Sequence, residues 1–279
     1  MSINKINPYE YDTVNKKVKA FFQEKGLIEC FVQNRLSIMA SCEDPTTLTS
    51  FDYAGQVWPL PQTGQMHLED ELLELGPDIK GLHCTTTSYR QEPNPVPNRH
   101  DLIFPMFEFE IPGNLDALIQ FEKELLEYLG FGKKESFLEV DYMAMCKQYG
   151  VDEIGHKEEQ MLCEQYGNVV FLKHFPENTS PFWNMNRCEN ADLALKVDVI
   201  ICGMETIGSA ERSCNVEEMR KLFHTISDGQ YANTLYSRFG KDRVEKELEE
   251  FLSHKFFVRS GAGMGVTRLI RAMRELNLL

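Results

Sequence analysis

No apolar stretch in this chain approaches the ~20 residues that a membrane-spanning helix needs, and the N-terminal MSINKINPYEYDTVNKK lacks the apolar core of a secretory signal. The expected location is therefore the cytoplasm. A basic excess is missing too: 29 Lys and Arg face 43 Asp and Glu, giving a net charge of −14 and a pI near 5. That excludes a broad basic footprint for nucleic acid and leaves room only for a local groove. Among eight cysteines no two form a C-x-x-C pair, which argues against a cysteine zinc site and for buried thiols in a reducing compartment. Internal repeats, low-complexity segments and Pro/Gly/Ser-rich linkers are also absent. What is present is an apolar fraction of 42% over 279 residues, enough to bury a core and too much for disorder.

The apolar pattern predicts a helix over 12–25, with Val14, Val18, Phe21 and Phe22 on one face, then a strand at LIECFV. GQMHLEDELLELG reads as a helix stopped by Gly76 and Pro77, and NLDALIQFEKELLEYLG as a helix capped by Asn114. Strand-like alternation at 83–91 and 102–111 flanks a proline-rich loop and predicts a long antiparallel hairpin. SCEDPTTLTSFDYAGQ reads as loop, and 138–165 as mainly helical. Strands follow at 168–173 and 195–202, then the Gly-rich GMETIGSAERS, helices over roughly 215–253, a last strand at FFVRSGAG and a terminal helix at 265–277. Helices interspersed with hairpin-connected strands favour an α+β fold, an antiparallel sheet flanked by helices. The expected organisation is one domain spanning 1–279.

The hairpin YRQEPNPVPNRHDLIFPMFEFE carries the chemistry. Residues two apart on a strand share a face, so Arg90 and Glu92 project together, as do Phe104, Met106, Glu108 and Glu110. A guanidinium can grip a phosphate oxygen and a carboxylate bidentately, a phenyl ring can stack on adenine, and a carboxylate can hold an ammonium. The set suits ATP plus an α-amino acid. An exposed strand laced with salt bridges would use the same residues, and this stays open at the level of the hairpin.

Two further stretches bear on the choice. In GAGMGVTRLIRAM, Gly261, Gly263 and Gly265 at alternate positions let a ligand approach the backbone, and Arg268 on the first turns of a helix is placed to meet phosphate. In KVDVIICGMETIGSAERS, Asp198 and Glu205 flank a tight strand and turn, and two carboxylates beside a polyphosphate make a natural Mg²⁺ site.

Here the sequence resembles the class II aminoacyl-tRNA synthetases. YRQE…RHDLIFPMFEFE is similar to their motif 2 and GAGMGVTRLIRAM to their motif 3. DVIICGMETIGSAERS and FLKHFPENTSPFW resemble segments of the aspartyl/asparaginyl subclass, and QTGQMHLE is closer to the asparaginyl branch, since Leu68 stands where the aspartyl branch has lysine. The resemblance spans nearly the whole chain. It implies that Arg90 grips the α-phosphate and the substrate carboxylate, and that Arg268 contacts the γ-phosphate, making these the catalytic pair. Glu92, His100, Gly263 and Gly265 help hold ATP, Phe104 stacks on adenine, and Asp198 and Glu205 bind Mg²⁺. Gln65, Glu108 and Glu43 hold the ammonium of the amino acid. Arg212 reads the side-chain carbonyl, while Glu69 accepts from an amide NH₂ and repels a carboxylate, which favours asparagine over aspartate.

The chain departs from the family pattern in several places. No counterpart of the anticodon-binding domain is expected within residues 1–279. CFVQNRLSIM lacks the motif 1 proline, although that motif still implies a homodimer. Ile103 stands where the family has glutamate, Val258-Arg259 replace Pro-His, and Ser209-Ala210-Glu211 replace Gly-Gly-Ser. The expected function is ATP-dependent activation of an amino acid as its adenylate, with transfer to an acceptor other than cognate tRNA. The alternatives are a truncated synthetase acting on tRNA, an ammonia-dependent asparagine synthetase, to which the chain is also similar, and a non-catalytic paralogue.

Overall fold

The computed structural model describes residues 5–33, 36–38, 47–97, 99–179, 181–189 and 192–279. An eight-stranded sheet runs through it. Its strands are β1 (Ile28–Glu29), β4 (Leu82–Tyr89), β5 (Ile103–Pro112), β10 (Arg259–Gly265), β9 (Met204–Arg212), β8 (Leu193–Ile201), β7 (Val169–Pro176) and β6 (Leu138–Asp141), in that spatial order. The six central strands are antiparallel. The two short edge strands, β1 and β6, lie parallel to their neighbours, so the sheet is mixed. A separate hairpin, β2 (Ser50–Tyr53) and β3 (Gln56–Pro59), begins within the stretch read as loop and runs past its end.

One face of the sheet is closed by α1 (Pro8–Glu24), α3 (Leu115–Leu129) and α9 (Val266–Glu275). The period of α1 puts Val14, Val18, Phe21 and Phe22 against this face, as the sequence predicts. The sheet meets them with Phe107, Phe109 and Ile111 of β5, Val197 and Val199 of β8, Ile207 of β9, and Ala262 and Met264 of β10. Alternation along each strand then sends the intervening residues to the other face.

That second face is covered only in part. α2 (Gln65–Leu75) packs over β4, while α4 (Tyr142–Tyr149) and α5 (His156–Tyr166) pack over β7 and β8. α6 (Val216–Thr225), α7 (Gln230–Phe239) and α8 (Lys241–Leu252) form their own core around Trp183 and Phe223. Between these covers the middle of β5, β10 and β9 is left open, and a cleft forms over it.

Sequence reading missed β9. The β8–β9 hairpin turns on Cys202 and Gly203, both with positive φ (49° and 74°), the combination a type I′ turn requires. The glycines and small residues of β9 masked its alternation. At the sheet's centre that composition leaves a floor almost without side chains.

Candidate active site

The loop joining β4 to β5 is closed at its mouth, where Arg90 N donates to the Leu102 carbonyl at 2.9 Å. Its turn is held by His100 N donating to Val96 O at 2.9 Å and Val96 N donating to His100 Nδ1 at 3.2 Å. Pro93, Pro95 and Pro97 restrict φ between them. The Arg90 guanidinium lies 5.8 Å from the centroid of the Phe104 ring, a cation–π arrangement. Arg90, Glu92, His100 and Phe104 all line one cleft of about 270 Å³. Burial lowers the pKa of His100, and Arg268, His156 and Arg99 reinforce the shift against Glu92. The ring is therefore held neutral.

The other side of the cleft comes from β8, β9, β10 and the start of α9. Gly263 of β10 is in register with Gly208 of β9, and both line the floor together with Gly265. Arg268 reaches back from α9, its Nη1 donating to the Glu205 carbonyl at 2.8 Å and lying 3.4 Å from Glu205 Oε2. Its Nη2 touches the Arg99 carbonyl at 3.5 Å, which ties the proline loop to β9. Asp198 stands opposite Gly208 in the β8–β9 register. A Cβ on Gly208 would meet Glu205 Oε1 at 3.2 Å and Asp198 Oδ1 at 3.8 Å, so the two carboxylates converge over a residue with no side chain. Burial would raise the pKa of Glu205, but Arg268, Lys196, Arg90 and Arg99 outweigh it and hold the group ionised. Glu205 lines the cleft and Asp198 lies buried just behind it; two carboxylates so placed fit Mg²⁺, which takes one or two carboxylates and completes its shell with phosphate and water.

Not every residue assigned from sequence reaches the cleft. Gln65 and Arg212 line it. Glu108 is fully buried beneath it, accepting from Gly64 N at 2.8 Å and from the hydroxyls of Thr63 and Thr86. Its carboxylate thus holds the start of α2. Glu69 points inward from α2 and is also fully buried, bound to Arg259 and Asn184. Gly261 serves the protein interior as well, since a Cβ there would lie 2.1 Å from the Glu110 carboxyl carbon. Of the three alternate glycines, Gly263 and Gly265 line the cleft and Gly261 does not. Glu43 lies outside the described residues.

The family of class II tRNA synthetases for D, K and N matches residues 13–278. This chain belongs to that family. Among relatives, the asparagine–tRNA ligase of Pelotomaculum thermopropionicum is 25% identical over 240 residues, covering 75% of this chain and 54% of that protein. That of Desulforamulus reducens is 21% identical over 296 residues, covering 95% and 65%. The asparaginyl-tRNA synthetase of Pyrococcus horikoshii complexed with asparaginyl-adenylate superposes with a TM-score of 0.78 at 20% identity, covering 96% of this chain and 65% of that one. A putative aspartyl-tRNA synthetase of Leishmania major gives 0.71 at 14%, covering 96% and 62%. At these identities the superpositions establish the fold. The chain spans about half to two thirds of the length of these relatives.

In this class II synthetase-family protein several residues around the site went unassigned in the sequence. Lys196 stands in the cleft, 3.4 Å from Asp198 and over the Phe175 ring at 4.3 Å. Its alternation with Asp198 along β8 was the available signal. Arg99 pairs with Glu159 of α5 and also lines the cleft. Asn184, Glu110 and Arg259 surround Arg212 from three separate segments, and no local pattern links them. Among the described residues no three His, Cys, Asp or Glu side chains cluster as a metal site, and no helix is long and apolar enough to cross a membrane. The seven described cysteines are free thiols.

Proposed function

We propose that the chain is a single catalytic unit that activates an amino acid of the asparagine/aspartate type as its adenylate, releasing pyrophosphate. The carrying observation is that Arg90, Phe104, Glu205 and Arg268, far apart in sequence, border one glycine-floored cleft. In this reading the amino-acid carboxylate attacks the α-phosphorus of ATP. A carboxyl C–O–P linkage forms, and the bond to the pyrophosphate oxygen breaks. The attacking group is already an anion, so no general base is required. Arg90 orients the carboxylate and the α-phosphate, Phe104 offers its ring to adenine, and Arg268 meets charge growing on the leaving group. Such fixed donors supply most of the acceleration in a reaction of this kind. Asp198 and Glu205 would hold Mg²⁺, which neutralises phosphate charge when bound.

For the acceptor we favour a group other than cognate tRNA, because the net charge is −14 and the proline loop ends on the exposed Ile103, 41% accessible, where the family carries glutamate. The names of the relatives favour the second reading, tRNA, and charging of total tRNA at low salt decides between them. Association as a homodimer fits the exposed Ile28 and Phe31 at the β1 edge (51% and 87% accessible), and light scattering tests it. The reading as a whole is tested by ATP–pyrophosphate exchange across the amino acids. Arg90→Ala should stay folded and lose exchange by about 100-fold or more. Exchange at wild-type rates in that variant removes the site assignment.

A further inference from the structure

Arg212 of β9 and Arg259 of β10 are direct cross-strand partners, and both are buried. Like charges opposed in this way repel, so the pair demands counter-charge from elsewhere. Glu69 Oε2 accepts from Arg259 Nε at 3.1 Å and Nη2 at 2.8 Å, while Glu69 Oε1 accepts from Asn184 Nδ2 at 2.6 Å and lies 3.6 Å from Arg212 Nε. Glu110 Oε1 accepts from Arg212 Nε at 3.1 Å and Nη2 at 2.6 Å. The third Arg259 nitrogen, Nη1, reaches the carbonyls of Ser213 (3.2 Å) and Phe257 (3.4 Å). Charges therefore alternate through the cluster in the order Arg259, Glu69, Arg212, Glu110. Of these only Arg212 stands on the cleft wall.

This arrangement bears on which side chain the site admits. A glutamate facing the cleft beside Arg212 would accept from an amide and repel a carboxylate. Glu69 can do neither, because it is wholly shielded from solvent, both its oxygens are engaged, and Arg259 matches its charge. Of the residues assigned to the amino acid, those that line the cleft bring donors: Arg212, and Gln65, whose amide nitrogen has no hydrogen-bond partner among the described residues. We propose that Arg259 is a specificity-determining residue which, by tethering Glu69, lets the Arg212 end of the cleft take a carboxylate, so that aspartate is activated alongside asparagine. This rests on the adenylation reading above. Burial, against the pull of Arg212, pushes the Glu110 carboxyl up to about 7.

The test is ATP–pyrophosphate exchange by the full chain with aspartate and with asparagine. The two kcat/KM values should fall within about tenfold of each other, and a larger preference for asparagine overturns the proposal. Arg259→Met releases Glu69, and the asparagine-over-aspartate ratio should rise by about tenfold or more. Glu69→Gln keeps the shape and an acceptor for Arg259 while leaving that cation unmatched, so the ratio should move the other way. A ratio unmoved in both variants overturns the proposal. Should Arg259→Met fail to fold, judged by circular dichroism, the direction of the Glu69→Gln shift decides alone. Should no amino acid support exchange, the adenylation reading fails separately. Calorimetric titration with the sulfamoyl analogues of aspartyl- and asparaginyl-adenylate then settles specificity. Affinities within about tenfold sustain the claim that the Arg212 end of the cleft takes a carboxylate, and a wider preference for the asparaginyl analogue ends it.

Discussion

Glu122 lies on the inward face of α3, on the side of the sheet opposite the cleft, and is fully inaccessible to solvent. Ser209 stands beside it, but its hydroxyl donates to the Val197 carbonyl at 3.0 Å. Both Glu122 oxygens are therefore without a hydrogen-bond partner among the described residues. Burial pushes this carboxyl from its ordinary 4.5 up to about 8; Asp198 pushes the same way and Ser209 opposes it. The raised value means that the folded chain holds the proton more tightly than the unfolded one. The contribution to stability is complete below about pH 4.5 and is lost as pH rises toward 8. Between about pH 5 and pH 8.5 the loss comes to about 4 kcal/mol, at 1.36 kcal/mol per pKa unit. Glu122→Gln replaces the protonated acid with a neutral isostere and should abolish that loss. In a chain of this size about 4 kcal/mol corresponds to roughly 10 °C in Tm. Calorimetric melting of both proteins across that range should show nearly equal Tm values at the acid end and a variant more stable by roughly 10 °C at the alkaline end. Glu110, pushed up to about 7, titrates in both proteins and cancels in the comparison. A difference that does not change with pH, or a variant that melts lower at pH 8.5, would refute the reasoning.

Gly261→Ala would place a Cβ 2.1 Å from the Glu110 carboxyl carbon. The carboxylate would have to leave Arg212, costing about 3 kcal/mol or more by urea denaturation, and a loss below about 1 kcal/mol would contradict the packing described. Phe104→Ala removes the ring beneath Arg90 and should raise the KM for ATP by about tenfold while leaving that for the amino acid nearly unchanged. Equal effects on both would mean that the ring does not meet adenine. Asp198→Asn removes one of two converging carboxylates and should raise the Mg²⁺ concentration needed for half-maximal exchange by about tenfold, whereas an unchanged Mg²⁺ dependence would place the ion elsewhere.

The groups that line the cleft were legible because their pattern is written locally. Period-two alternation alone puts Phe104 and Met106 on the cleft face and Phe107 and Phe109 on the core face, and both follow in the structure. The 3.6-residue period likewise fixes the buried stripe of α1, and the asparagine cap starts α3 as expected. Where the local signal weakens, the reading weakens with it. Gly208, Ser209 and Ala210 disguised a central strand, and the β2–β3 hairpin turns on Ala54 and Gly55, again with positive φ.

Tertiary structure alone decided which charge meets which. Glu69 and Arg259 are 190 residues apart, and Glu69 and Asn184 are 115 apart. Their meeting depends on how α2 lies across β4 and on the β9–β10 register that sets Arg259 against Arg212. A carboxylate on a helix face has the same local pattern whether it turns to solvent, to a ligand or to a buried guanidinium. The sequence therefore determined the kinds of groups that surround the cleft. The packing of distant segments determined that Glu69 and Glu108 are bound inside the protein while Arg212, itself buried, lines the cleft, because the desolvation of a buried charge is offset only by a partner that the fold brings to it.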